Sequence, residues 1–220
     1  MSQTVTAILF EELVKDQDDL GLFLDLHFGF DAFFRQLTAE FYELALWPGL
    51  KARVEAPGQS RPQNRLQPKP APHPRLVDIK DNWLMAAPPP GLWPEGLAAA
   101  LASENYYGAL IYSQLVLTPP AQPAEAAKAL YHERLLVLKD EARKRFPGRK
   151  IENNETAVWF YYDSGSPYRN WNTKEGLLLL AREVMAIKNE KAQPGGEGSL
   201  SGRYIDDLLT WAEIADQVFA

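Results

Sequence analysis

Two basic stretches are the first features of this sequence that could do chemistry. One lies in a proline-rich segment and the other closes a run predicted to be helical; together they contain Arg61, Arg65, Lys69, Arg75, Arg143, Lys144, Arg145, Arg149 and Lys150. If they met on one surface they would bind phosphates, whose contacts are the main source of nucleic-acid affinity. Cations in the last turn of a helix also stabilise it by opposing its dipole, and an exposed loop needs solvated residues. We favour this second interpretation, and nucleic-acid binding is the first alternative function.

Aromatic residues are concentrated further along the chain. Five of them fall within thirteen positions: Trp159, Tyr161, Tyr162, Tyr168 and Trp171. Aromatic side chains stack on bases and also form the centres of protein interfaces. The first three lie in a predicted strand, whose alternation divides them between two faces, so at least one face is expected to belong to the core. We expect Tyr168 and Trp171, which follow the strand, to contact a protein partner.

Carboxylates and histidines point to a further alternative. Asp78 and Lys80 would share one face of a strand, an arrangement in which a carboxylate binds a metal ion and a lysine assists the attacking water. Such a site needs another acid on the preceding strand, where the sequence offers Glu55. His27 and Asp31 stand four residues apart on a predicted helix, a spacing that suits a metal. A metal-dependent hydrolase or nuclease is therefore the second alternative, although we assign no catalytic residue, metal ligand or cofactor.

Composition excludes several classes of site. The chain of 220 residues has no cysteine, which rules out disulfides, thiolate catalysis and zinc sites built on sulfur. No run approaches the roughly 18–20 uncharged apolar residues that a membrane span requires. Glu11 and Glu12 directly follow the short apolar run 7–10, and no basic residue precedes that run, so no secretory signal is expected. We predict a soluble, cytoplasmic protein that does not bind a membrane.

The first fifty residues are predicted to be helical. A long helix is expected over residues 20–47, because apolar residues recur there at steps of three and four, and Pro48-Gly49 is expected to end it. Additional aromatic residues widen the apolar face over most of the helix circumference. A helix of this kind is deeply buried or is shared with a partner. The residues of this helix expected to contact a protein partner are Phe23, Phe30 and Phe34.

Residues 55–75 form a proline-rich basic segment. Six prolines occur in it, four of them at alternate positions from 68 to 74, which favours an extended polyproline II course. A long loop within a domain is unusual and tends to be functional or to lie against another surface. Residues 1–50 carry nine acids and two bases, whereas residues 51–75 carry six bases and one acid. The basic segment is therefore suited to an acidic surface, on its own chain or on a partner.

Strands alternate with helices over the rest of the chain. Three strands are predicted, at residues 75–85, 106–118 and 156–163, the last ending in a turn at Asp163. Four helices are predicted, at residues 94–103, 123–146, 172–190 and 204–219, with Asn172 and Glu175 as a capping box for the third. The Gly/Ser-rich residues 193–202 are expected to be mobile.

The predicted fold is therefore a single α+β domain. It comprises a helical N-terminal segment (1–50), the proline-rich loop (55–75) and a strand–helix core (76–220). The core is expected to contain a small sheet of three to four strands flanked by helices.

These observations favour a non-enzymatic role. The sequence contains no P-loop, dinucleotide-binding glycine pattern or Ser/His/Asp order. The wide aromatic helix and the proline-rich basic loop would both serve as contact surfaces. We therefore predict a protein-interaction or assembly subunit of an intracellular complex, with a protein partner and no cofactor. Nucleic-acid binding through residues 61–75 and 143–150, and metal-dependent hydrolysis, stay open as alternatives.

Overall fold

The computed structural model of the protein describes residues 33–34, 36–55, 67–69, 82–105, 109–117, 125–164, 166–171 and 173–219. The chain divides into two units, Met1–Gln36 and Leu37–Ala220. In the first unit the described residues are Phe33, Phe34 and Gln36, all helical, with Phe33 exposed and Phe34 buried. Most of the helix predicted over residues 20–47 therefore lies outside the described residues, and so do Phe23 and Phe30.

The second unit is an α+β fold, as predicted. Its strands are β1 (Gln67–Lys69), β2 (Asn82–Ala87), β3 (Leu97–Asn105), β4 (Ala109–Leu117), β5 (Glu152–Asn153) and β6 (Ala157–Tyr161). Its α-helices are α1 (Trp47–Glu55), α2 (Glu125–Arg145), α3 (Lys174–Lys188) and α4 (Leu200–Phe219). Within the described part of the chain the strands form one antiparallel sheet in the order β1-β2-β3-β4-β6-β5. This sheet is larger than the three or four strands that the sequence predicts.

One reason for the larger sheet is that β3 occupies residues for which the sequence predicts a helix. Alanine favours helices, and β3 reads Leu-Ala-Ala-Ala-Leu-Ala from its first residue. β3 lies between β2 and β4 and forms ladder hydrogen bonds with both. Ala98, Ala99 and Ala100 are fully buried, so both faces of the strand are covered. Pairing with two neighbouring strands therefore overrides the local helix preference of this segment.

The helix expected to end at Pro48-Gly49 continues to Glu55 instead. Residues 37–41 are helical and lead into a π-helical segment, Tyr42–Leu46, after which the Trp47 N–H donates to the Tyr42 carbonyl. In a regular helix the proline ring meets the carbonyl four residues earlier, and the wider π turn changes that register directly before Pro48.

The glycine at position 49 serves packing and does not end the helix. A Cβ atom on Gly49 would lie 2.8 Å from the Cα of Gly195 and 2.8 Å from Cδ1 of Ile205. Real Cβ atoms do not approach other heavy atoms so closely, so a side chain here would force the neighbours apart. The absence of a side chain therefore lets α1 cross the turn before α4 at close range.

The core lies between one face of the sheet and α4. α4 packs across β2, β3 and β4, and α2 packs against α4 and β6. Strand register places Phe160 of β6 beside Ser113 of β4 and Leu101 of β3 on one face, and all three are buried. Trp211 of α4 stacks over Phe160 with ring centroids 6.2 Å apart, and Phe146 lies 5.0 Å from Trp211. Each such side chain stabilises the fold by about 1.5–3 kcal/mol on burial.

A buried carboxylate holds the start of α4. Glu183 of α3 accepts hydrogen bonds from the Leu200 N–H at 2.8 Å, the Ser201 N–H at 3.2 Å and the Ser201 hydroxyl. The first N–H groups of a helix have no partner within the helix, and a negative charge there opposes the helix dipole. α4 consequently begins at Leu200, four residues before the predicted start.

The connection from α3 to α4 includes most of residues 193–202, which the sequence predicts to be mobile, and it contains hydrogen bonds between side chains and the backbone. The Gly195 N–H donates to Ser201 Oγ at 3.1 Å, and the Ser199 hydroxyl donates to the Gly196 carbonyl at 2.7 Å. At the other end of α3, the helix is capped by Thr173, whose Oγ1 accepts from the Gly176 N–H. The cap thus lies one residue after the predicted Asn172.

Replacing Glu183 tests the role of this carboxylate. Glu183→Gln keeps the shape but presents an NH₂ group to N–H donors, so we expect the free energy of unfolding to fall by about 1–3 kcal/mol. Urea unfolding followed by tryptophan fluorescence measures the change. Glu197→Gln, at an exposed position in the same connection, is the matched control and should change stability by no more than about 0.5 kcal/mol. Equal stability of the two variants would contradict the role assigned to Glu183.

Candidate functional site

Each of the five cations in the basic stretch 143–150 contacts a carboxylate of its own chain. The ion pairs are Arg143–Asp140, Lys144–Glu141, Arg145–Glu213, Arg149–Asp163 and Lys150–Glu152. A phosphate group would have to compete with these carboxylates for every cation of the stretch. Exposed pairs are individually weak, but together they remove most of the positive potential that the sequence suggests.

The other predicted basic stretch, residues 61–75, has one cation among the residues that the structure describes. Arg61, Arg65 and Arg75 lie outside the described residues, and Lys69 belongs to β1. β1 and β5 are the opposite edges of the sheet. Five strand spacings of about 4.8 Å separate them, roughly 24 Å in total. Lys69 therefore belongs to the strand at one edge of the sheet, and Lys150 precedes the strand at the other edge.

The aromatic residues predicted to contact a partner differ in their placement. Trp171 is fully buried; its Nε1 donates to the Tyr204 hydroxyl at 2.8 Å, and its ring meets the edge of Phe41. Trp171 therefore belongs to the core, because the turn after β6 returns the chain to β4, where the Ile111 N–H donates to the Arg169 carbonyl. Phe34 is likewise buried.

Tyr168 is partly exposed and lies beneath an arginine. The guanidinium of Arg203 is 4.3 Å from the centroid of the Tyr168 ring, a distance at which the cation is attracted to the ring face. The turn predicted at Asp163 is present, with the Ser166 N–H donating to the Asp163 carbonyl at 3.0 Å. Of the interaction residues that the structure describes, Tyr168 is thus the one that reaches the surface.

The residues proposed for metal chemistry fall mainly outside the description. Asp78, Lys80, His27 and Asp31 are not among the described residues, and Glu55 is exposed at the end of α1. Among the residues that are described, no group of three or more histidine, aspartate or glutamate side chains is placed to hold a metal ion. The metal-dependent alternative stays a prediction from sequence.

Sequence reasoning missed a cluster of charged and polar side chains around Asp207. We call it the Asp207 centre; its members are Arg149, Tyr162, Arg203 and Asp207. The Tyr162 hydroxyl donates to Asp207 Oδ2 at 2.8 Å. The Arg149 guanidinium lies 5.5 Å from the centroid of the Tyr162 ring and 2.8 Å from Asp163. These residues come from the end of β6, the segment after α2 and the first two turns of α4, so no local pattern could have grouped them.

Burial dominates the electrostatics of the Asp207 centre. It raises the pKa of Asp207 above its ordinary value of 3.8, although the hydrogen bond from Tyr162 and the charges of Arg149 and Arg203 lower it in part. Burial, with the neighbouring Asp207 charge, also raises the pKa of Tyr162 well above its ordinary value. Tyr162 is therefore a hydrogen-bond donor at neutral pH. Its hydroxyl is used inside the chain, joining β6 to α4.

A second feature that sequence reasoning missed is an apolar surface on α2. One face of α2 buries Ala127, Tyr131, Leu138 and Ala142. Leu130, Leu136 and Val137 are exposed by 39%, 75% and 45%. The signal for this was available: residues 135–138 are four consecutive large aliphatics, and successive helix residues point about 100° apart, so they cannot all face the core.

The pKa of Asp207 gives a testable pH dependence. Because the pKa of Asp207 is raised in the folded state, the folded protein binds a proton at Asp207 more tightly than the unfolded chain does. This proton binding stabilises the fold at low pH. The stabilisation is lost as the pH rises from the ordinary pKa of 3.8 through the raised pKa of the folded state. Asp207→Asn is neutral at every pH. We therefore expect the stability of Asp207→Asn relative to wild type to increase between pH 3.5 and pH 7, measured by urea unfolding.

Tyr162→Phe provides the companion variant. It removes a hydrogen bond that lowers the pKa of Asp207, so the pH range over which stability declines should extend to higher pH than in the wild type. A relative stability of Asp207→Asn that instead decreases with pH would mean that the two arginines outweigh burial.

Comparisons with known proteins identify no relative. No protein-family model matches the chain, and neither a curated protein nor a solved structure matches it. Within the described ranges, no helix combines the length and apolar character needed to cross a membrane. The fold and the surfaces described above are therefore the basis on which its function is inferred.

Proposed function

We propose that this protein is a non-enzymatic protein-interaction or assembly subunit of an intracellular complex, and that it contacts its partner through α2. The observation that carries the proposal is the exposure of three large aliphatic side chains, Leu130, Leu136 and Val137, within eight residues of one helix. Single exposed apolar residues are common on protein surfaces. A group of them on one helix is typical of a contact surface.

The shape of α2 supports the same proposal. It is a 21-residue helix that buries Ala127, Tyr131, Leu138 and Ala142 on one face and packs against α4 and β6. The exposed part of each of these side chains still lies in water, and covering it in an interface would contribute a share of the roughly 1.5–3 kcal/mol that full burial of such a side chain is worth. Leucine and valine on a rigid helix also lose little conformational freedom when a partner binds.

The proposal predicts that one substitution on α2 removes binding without harming the fold. Leu136→Lys changes a side chain that is 75% exposed, so we expect stability to change by no more than about 0.5 kcal/mol. A lysine in an apolar interface would be buried without a counter-charge, so partner retention should fall at least tenfold. The measurement is quantitative affinity purification from nuclease-treated native lysate.

Met185→Lys is the matched control, because Met185 is 60% exposed on a different helix, α3. It should retain the same partners as the wild type. If Leu136→Lys also retains them, α2 is not the contact surface and the proposal fails. If retention depends on nucleic acid surviving the treatment, the nucleic-acid alternative replaces it.

A further inference from the structure

The two arginines of the Asp207 centre have hydrogen-bonding capacity that the chain does not use. The Arg149 side chain is 14% exposed, and it contacts Asp163 at 2.8 Å without the alignment that a hydrogen bond from Nη1 requires. The Arg203 guanidinium lies over the Tyr168 ring, and within the described part of the chain it has neither a hydrogen-bond acceptor nor an ion-pair partner. Folded proteins seldom leave a mostly buried donor such as Arg149 without an acceptor. These guanidinium groups are therefore available to a ligand that supplies acceptor oxygens.

Asp207 has an unused acceptor close to these donors. Tyr162 donates to Oδ2 of Asp207 at 2.8 Å, whereas no described residue donates to Oδ1. Arg203 and Asp207 are four residues apart on α4, so their Cβ atoms are about 5–6 Å apart. Arg149 lies 5.5 Å from the centroid of the Tyr162 ring, whose hydroxyl holds Asp207. Both arginines act on Asp207 electrostatically, yet neither is close enough to form an ion pair with it. The three charged groups are therefore near neighbours without direct contact, as in a site whose ligand bridges them.

The charges around Asp207 determine which ligand fits. Besides Arg203 and Asp207 they form two contacts, at 2.8 and 3.0 Å, which are Arg149–Asp163 and Arg53–Asp206. Asp163 is 74% exposed, so it competes only weakly for Arg149. Because the charges balance, net charge alone attracts a simple anion too weakly to hold it. A suitable ligand supplies oxygens to the arginines and a proton to Asp207.

We propose that the Asp207 centre is a binding site for inorganic phosphate. Arg149 and Arg203 donate to phosphate oxygens, and Oδ1 of Asp207 accepts a hydrogen bond from the O–H group of the phosphate. Guanidinium groups suit this role because their planar forks match the spacing of phosphate oxygens. Inorganic phosphate keeps at least one proton at neutral pH, whereas sulfate keeps none and would turn an unprotonated oxygen toward the carboxylate. A phosphate monoester loses its last proton with a pKa of about 6, so it is the weaker ligand at higher pH.

Titration calorimetry with three anions tests the ligand. Inorganic phosphate, sulfate and phenyl phosphate are titrated separately into the full-length protein at about pH 7.5, where the ester is mostly the dianion. The buffer is zwitterionic, and the ionic strength is held constant with sodium chloride. We expect phosphate to bind at least tenfold more tightly than either of the other anions, because each of them leaves Oδ1 of Asp207 facing an oxygen without a proton.

Variants assign the binding to the Asp207 centre. Arg203→Gln removes a guanidinium at an exposed position, so the fold should be retained and phosphate affinity should fall at least tenfold. Asp207→Asn can present an NH₂ donor in place of the acceptor, so sulfate should bind more tightly than to the wild type and the preference for phosphate should disappear. Arg134→Gln makes the same change in net charge as Arg203→Gln at an exposed position of α2 and should leave phosphate affinity unchanged. Urea unfolding checks that each variant is folded.

Four results would overturn the inference. Equal binding of phosphate and sulfate by the wild type would show that Asp207 does not accept a phosphate proton. Equal phosphate affinity of Arg203→Gln and Arg134→Gln would show that binding reflects net charge or another site. Tighter binding of phenyl phosphate than of inorganic phosphate would assign the centre to phosphorylated molecules, and no binding at millimolar phosphate would remove the site. The contact surface proposed on α2 is decided separately, by partner retention in lysate.

Discussion

The buried carboxylate of Glu183 determines where α4 begins, and the arrangement of the second unit depends on that position. Glu183 accepts hydrogen bonds from the first N–H groups of α4, which no other part of the helix can satisfy. α4 covers the middle of the sheet, so its starting residue decides which side chains face the strands. If Glu183 instead held the N–H groups one residue further along the chain, every side chain of α4 would rotate by about 100° relative to α3, and Trp211 would turn away from Phe160.

The same helix register brings charged groups together. It places Asp207 beside Tyr162 and, near the other end of α4, it places Asp216 where Trp93 Nε1 donates to it at 2.9 Å. Carboxylates thus connect α4 to α3, to the end of β6 and to the segment before β3. Holding Asp207 partly out of water costs free energy, which its raised pKa reflects. The fold accepts that cost because the hydrogen bond joins two elements that are distant in sequence.

Polar and apolar groups are consequently used in different ways in this protein. The cations of residues 143–150 pair with carboxylates of the same chain, and in the Asp207 centre the Tyr162 hydroxyl donates to Asp207. On α2, by contrast, Leu136 is 75% exposed and Leu130 and Val137 are partly exposed, which leaves apolar surface in water. Apolar surface that stays in water gains nothing from the hydrophobic effect, and this is the basis of the contact surface proposed above.

Local patterns were enough to predict the α+β class, β4, β6 and the helices α2 and α3 to within a few residues, because periodicity and proline or glycine boundaries act over short distances. The four consecutive aliphatics at 135–138 also carry a signal for an exposed apolar side of α2, but no such side was predicted. Tertiary structure decided the rest. Ala98–Ala100 became a strand because two neighbours pair with it, and Trp171 became core because the chain turns back onto β4. Arg149, Tyr162, Arg203 and Asp207 meet only after α4 has packed across the sheet, and no spacing along the chain encodes a contact that long-range packing creates.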